Sequence, residues 1–154
     1  MPAEDKLAEI AHELPPVPKP QGLYKPVVVV GNLIYLSGHG PLRPDGTLIL
    51  GRVGADLDLA AGKAAARQVG LAMLATLRQY LGSVNHVRRL VKTLGPVNCT
   101  ADFHQQPAVI NGFSELMAEV FGTDNGVGAR SAVGAVALPG NMAVEVEAIF
   151  EIGP

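Results

Sequence analysis

The stretch ARSAVGAVALPGNMAVEVEAIFEI, residues 129–152, decides the fold class. Ala129 to Leu138 and Met142 to Ile152 are apolar runs parted by Pro139 and Gly140, an efficient pair for a tight reversal. They read as two strands joined in an antiparallel hairpin. A second hairpin is predicted upstream, where Val27–Val30 and Leu33–Ser37 flank Gly31 and Asn32, residues that tolerate the positive φ of a tight turn. Between the hairpins the period changes to that of helices. Asp56 or Asp58 caps one helix running to about Leu81, with Ala65, Val69, Ala72, Met73, Leu77 and Tyr80 as its buried stripe and Gly82 as its stop. Pro107 opens another, with Val109, Phe113, Leu116, Met117 and Val120 on its apolar face and Gly122 at its end. Val87–Val97 reads as a strand between them, and Thr47–Leu50 as a short extra one. The order β-β-(β)-α-β-α-β-β, with helices interspersed among antiparallel pairs, implies an α+β fold. In it a mixed sheet carries both long helices on one face. The other face then needs a cover, and another copy of the chain is the natural one.

Residues 1–20 read as a separate element ahead of a domain at 21–154. Leu7, Ile10, Ala11 and Leu14 fall three or four apart, which puts them on one side of a short helix over residues 3–14. Pro15, Pro16, Pro18 and Pro20 then remove backbone donors and favour stiff, extended chain. The helix docks on the body or on a neighbouring subunit, or else the segment is a disordered tail.

With 154 residues, 48% hydrophobic and 17% charged, the chain is large and apolar enough to bury a real core. A net charge of −2 and 5% aromatic residues argue against a nucleic-acid binder, which needs a basic stripe. Its single cysteine, Cys99, excludes an intrachain disulfide framework and a cysteine-rich zinc site. The histidines at 12, 39, 86 and 104 lack metal-ligand spacing, so no metal is expected. No apolar run reaches the ~18 residues of a membrane span. The first residues lack the basic-then-apolar pattern of a secretion signal, so a cytoplasmic location is expected.

Three features carry chemical potential. Arg130 begins a strand otherwise free of charge, and its planar fork suits a carboxylate; the plainer reading is a snorkelling side chain. Alternation along the last strand places Met142, Val144, Val146, Ala148 and Phe150 on a core face, with Glu145 and Glu147 opposite, ~7 Å apart. Such carboxylates usually face water, but burial by another subunit makes them functional candidates. His39 lies between Gly38 and Gly40 at a strand end, where it can act as acid or base or be a hydrogen-bonded structural group.

These same segments resemble the reactive intermediate deaminase (Rid, or YjgF-like) family, also named for an L-PSP endoribonuclease. The residues that carry the likeness are Tyr24 ahead of Val30–Gly38, Arg89–Thr93, Asp102 and Phe103, Ile110 and Asn111, Ala129–Ser131, Leu138 and Pro139, and Val144–Glu147. The resemblance implies a chorismate-mutase-like homotrimer, its three sheets lining a central barrel and its active sites lying between subunits. It further implies hydrolysis of 2-imino or enamine acids to 2-oxo acids and ammonia, without cofactor. In that scheme Arg130 clamps the substrate carboxylate and Glu145 orients the attacking water. Tyr24 and Ser37 line the pocket beside the Gly38 backbone, and His39, Asn111 and Ala132 complete the binding surface. The sequence departs from the family at Ala132, where a cysteine is common, and at His39, where a glutamine is frequent. The implied partner is a small carboxylate-bearing imine or 2-oxo acid. A non-catalytic metabolite-binding or chaperone-like trimer is the alternative, and a ribonuclease is disfavoured by the charge balance. If Ala137 pairs with Met142 in a hairpin, Glu145 sits opposite Gly134, ~13 Å along the strand from Arg130. A site shared between subunits, or a bulge, would close that gap.

Overall fold

A computed structural model describes residues 1–154. The elements are α1 (Ala3–Glu9), β1 (Val27–Val30), β2 (Leu33–His39), α2 (Leu59–Leu81), β3 (Val87–Asn98), α3 (Gln106–Phe121), the single turn α4 (Thr123–Gly126), β4 (Ala129–Ala135) and β5 (Val146–Ile152). They form one five-stranded sheet in the order β1-β2-β5-β3-β4. The first four strands in that order pair antiparallel, and β4 joins the edge parallel to β3. The fold is mixed α+β, with the helices on one face, as the pattern implied.

The two helices follow their sequence signals closely. Asp58 caps α2, its side chain accepting from the Ala61 N–H at 2.8 Å, a cap worth ~1 kcal/mol. Gly82 ends the helix in the left-handed region at φ 81°. Val69, Met73 and Leu77 of α2 and Val109, Phe113, Leu116, Met117 and Val120 of α3 share one buried core with Ile34, Leu36, Val146 and Phe150 of the sheet, and Ala72 of α2 is buried as well. The helices touch closely because a Cβ on Gly112 would stand 2.0 Å from the Lys63 carbonyl oxygen. Tyr80 departs from the expected stripe: it is 48% exposed, and in the last turn of α2 it is Leu81 that packs against the core.

The expected hairpin between β4 and β5 does not form. The chain passes Pro139–Asn141 in a 3-10 turn with Gly140 and Asn141 both at φ 63°. It then pairs Met142 with Leu50 and Val144 with Val97 before β5 begins at Val146. The twelve residues of β3 lie between β4 and β5. Turn residues and alternation specify that two strands exist, whereas pairing is chosen by long-range packing. Thr47–Leu50 makes only isolated bridges, to Leu42 and Met142.

The sheet face away from the helices is open. Val28, Tyr35 and Val133 are exposed on it. Val28, Tyr35, Ile149, Lys92 and Ala129 form one cross-strand row, whose middle members are partly apolar.

Candidate functional site

Strand register separates the two charged candidates. Leu36, Ala148, Thr93 and Arg130 form one row across β2, β5, β3 and β4. The first three are buried against the helices, so Arg130 points to the helix side. Its guanidinium donates to the Ser114 hydroxyl at 3.1 Å and to the Pro107 carbonyl at 3.3 Å, both on α3. No carboxylate lies within ion-pair reach of it; Lys63, Arg67, Arg78 and Arg89 take the five salt bridges. A half-buried arginine held only by neutral acceptors keeps its charge and several donors for an external anion. Ala132 shares that side of β4, opposite Gly95 of β3. Asn111 is half-buried on α3, three residues before Ser114 and thus on the same helical face.

Glu145 lies elsewhere. It precedes β5 by one residue, and its backbone N–H donates to the Pro96 carbonyl at 3.1 Å. Its side chain shares the open face with Glu147 and leans on Gly38: a Cβ there would stand 2.1 Å from Oε1. Burial, and secondarily repulsion from Glu147, raise the Glu145 pKa above the ordinary carboxylate value. The carboxyl opens into a cavity of about 770 Å³, shared with Tyr24, Ser37, Gly38 and the backbone around His39. Ser37 is fixed, its hydroxyl donating to the Lys25 carbonyl at 2.5 Å. Tyr24 is 47% exposed and its hydroxyl accepts from the Gln21 N–H at 3.1 Å, leaving its own proton free to donate.

The His39 ring is only 4% exposed and is held between β2 and α2. Nδ1 lies 2.7 Å from the Ser37 carbonyl and Nε2 2.8 Å from the Thr76 hydroxyl. A carbonyl only accepts, so Nδ1 carries the proton and Nε2 accepts from Thr76. Burial, partly offset by the Ser37 bond, lowers the His39 pKa. The ring is a neutral, doubly bonded strut beneath the cavity.

Tyr24, Ser37, Gly38 and Glu145 are therefore gathered in one cavity, whereas Arg130, Asn111 and Ala132 cluster at the far edge on the opposite side of the sheet. Sequence reasoning missed Ser114 and the Pro107 carbonyl as the seat of Arg130. It also missed the wall that Pro16, Val17 and Pro18 add to the cavity. The helical spacing of Asn111 and Ser114 was a usable signal for the first. No three His, Cys, Asp or Glu side chains converge to hold a metal ion. No helix is long and apolar enough to cross a membrane.

A family model described as "YjgF/chorismate mutase-like, putative endoribonuclease" matches residues 4–151. The chain belongs to the YjgF family. Protein TCP17 of Trypanosoma cruzi is 36% identical over 146 residues, covering 95% of this chain and 91% of that protein. The crystal structure of protein Atu1372 from Agrobacterium tumefaciens, of unknown function, is 38% identical and superposes with a TM-score of 0.88, covering 98% of this chain and 94% of that one. A "putative endoribonuclease" from Shewanella oneidensis is 28% identical with a TM-score of 0.92, covering 99% of this chain and all of that one (100%).

Proposed function

We propose that this YjgF-family chain hydrolyses 2-imino or enamine acids to 2-oxo acids and ammonia, at a site completed by a second copy. The observation that carries the reading is the pairing of two incomplete halves. Arg130 is an uncompensated cation seated on neutral groups, and Glu145 is a carboxyl of raised pKa in a cavity. The sheet separates them, so one small substrate reaches both only when the open face of one copy meets the β4 edge of another. The closed homotrimer with a central barrel, which the family resemblance implies, is one such arrangement, and it covers the exposed Val28, Tyr35 and Val133.

In this mechanism Arg130 takes the substrate carboxylate in its fork and fixes C2 over Glu145 of the adjoining copy. The iminium carbon is already electrophilic, so positioning a water supplies much of the catalysis. The Glu145 carboxylate accepts a proton as the water oxygen bonds to C2, giving a carbinolamine. The protonated carboxyl then returns that proton to the amine nitrogen. The C–N bond breaks as the hydroxyl of the carbinolamine becomes the carbonyl, its proton leaving to solvent, and ammonia departs. A carboxyl with a raised pKa is the stronger base for this relay. Tyr24 and Ser37 hydrogen-bond the water or the imine nitrogen.

Mixing tests the shared site directly. Arg130→Ala and Glu145→Gln proteins are unfolded together and co-refolded in equal amounts, then timed for 2-oxo acid release from freshly generated 2-iminopropionate. Random assembly of a closed ring regenerates about one quarter of the wild-type sites if the two groups come from different copies. Activity no greater than that of the separate variants sinks the shared site. RNA cleavage that persists in rigorously purified Arg130→Ala protein would favour a ribonuclease instead.

A further inference from the structure

We infer that the N-terminal segment is a wall of the active site that selects imino acids with uncharged, apolar side chains; this rests on the imine-hydrolase reading above. The segment is clasped at two places. At the first, Leu7 of α1 is fully buried (0% exposed), and the Glu4 carboxylate accepts from the Ser83 hydroxyl at 3.1 Å and the Val84 N–H at 2.9 Å. The Glu4 N–H in turn donates to the Asn85 side chain at 2.8 Å. At the second, Glu13 pairs with Arg67 of α2 at 3.3 Å. The Gln68 amide donates to the Leu42 carbonyl at 2.6 Å and to the Glu13 carbonyl at 3.4 Å, tying the root of the segment to a loop of the cavity.

Pro15 is buried at that root, and the chain beyond it is stiffened by proline. It leaves from a fixed point and lays Pro16, Val17 and Pro18 along the cavity that holds Glu145. The lining also includes Leu42, Leu48 and Met142. Glu145 is the only carboxylate in the lining, and Lys19, exposed, is the only amine. A substrate whose C2 rests over Glu145 therefore extends its side chain between apolar walls. A second carboxylate would approach Glu145 and Glu147 instead, and like charges repel. Apolar walls discriminate by roughly 10–200-fold per methylene group, so this segment sets the order of substrates rather than the chemistry.

The test generates imines in situ with an amino-acid oxidase from leucine, phenylalanine, alanine and glutamate, and times 2-oxo acid release by the full chain. The expected order is leucine or phenylalanine first, then alanine, then glutamate. Val17→Asp should cut the leucine-to-alanine ratio of kcat/KM by about tenfold, and Val17→Ala by a smaller factor. A flat order, a glutamate preference read by Lys19, or an equal loss for every imine in Val17→Asp would overturn the proposal. Titrating the same proteins with 4-methyl-2-oxopentanoate and with 2-oxoglutarate reads the wall without turnover. Tighter binding of the former, lost in Val17→Asp, supports the wall even if no imine is hydrolysed, a result that would sink only the hydrolase reading. Equal affinity, or no binding of either, overturns it.

Discussion

The β4 edge and the β2–β5 cavity differ in how each treats its charge. At the edge, Arg130 rests on a hydroxyl and a carbonyl and meets no acid, so its positive charge is held in place but not spent. In the cavity, the Glu145 carboxyl is pressed against Gly38 near a second carboxylate, so its negative charge is disfavoured. Under the proposed reaction, the first half would receive an anion and the second would hold a proton. The lesson is that the sheet holds the two groups apart, so under the proposed reaction neither region is a site alone.

The sharpest break is to remove the cation. Arg130→Ala should lower imine hydrolysis by at least ~10²-fold, the scale of losing one charge-stabilising donor set. The oligomeric state by light scattering should not change, since the side chain makes only two hydrogen bonds and no ion pair. Unchanged turnover would end the comparison. Glu145→Gln comes next, with a fall in kcat of about 10²-fold and 2-oxo acid affinity largely kept, since the carboxylate is bound at the other half. In the wild type the acid limb of kcat/KM should lie above the ordinary glutamate value, because the raised Glu145 must ionise to act. Glu147→Gln should move that limb down.

A milder test leaves both charges in place. Gly38→Ala puts a methyl group where Oε1 now lies, so it should displace the carboxyl and cost roughly tenfold in kcat with an unchanged circular dichroism spectrum. The smallest effect expected is on stability. His39 is lowered by burial, so the unfolded chain takes its proton first as the pH falls. The stability it contributes is complete above about pH 6.5 and is lost progressively as pH falls towards the folded value. His39→Gln should flatten that acid limb, by a few °C of Tm. An acid limb as steep in the variant as in the wild type would show that other groups govern it.

Much of this architecture could be read locally. Asp58, Gly82, Pro107 and Gly122 punctuate the helices as their chemistry requires, and Gly31 with Asn32 turns β1 into β2. What failed was partner choice. Pro139 and Gly140 do reverse the chain, but the reversal delivers it to Leu50 and Val97, and β3 fills the space beside β4. Those contacts join residues 37 or more positions apart, and no local period encodes them. The same holds for the site. Residue types and alternation singled out Arg130 and the pair Glu145 and Glu147, and the family resemblance chose Glu145, yet the placement of Arg130 and Glu145 on opposite faces follows from a register that runs through three other strands. The proline run announced a stiff segment, and only its clasps on Arg67 and Gln68 fixed where it goes.

The imidazole strut offers a spectroscopic handle. A ring N–H shielded from water and bonded to a backbone oxygen exchanges slowly with solvent, so His39 should give a resolved downfield proton resonance in nitrogen-15 spectra near neutral pH. That signal would watch the floor beneath Glu145 in solution, and it would fade as soon as β2 parted from α2.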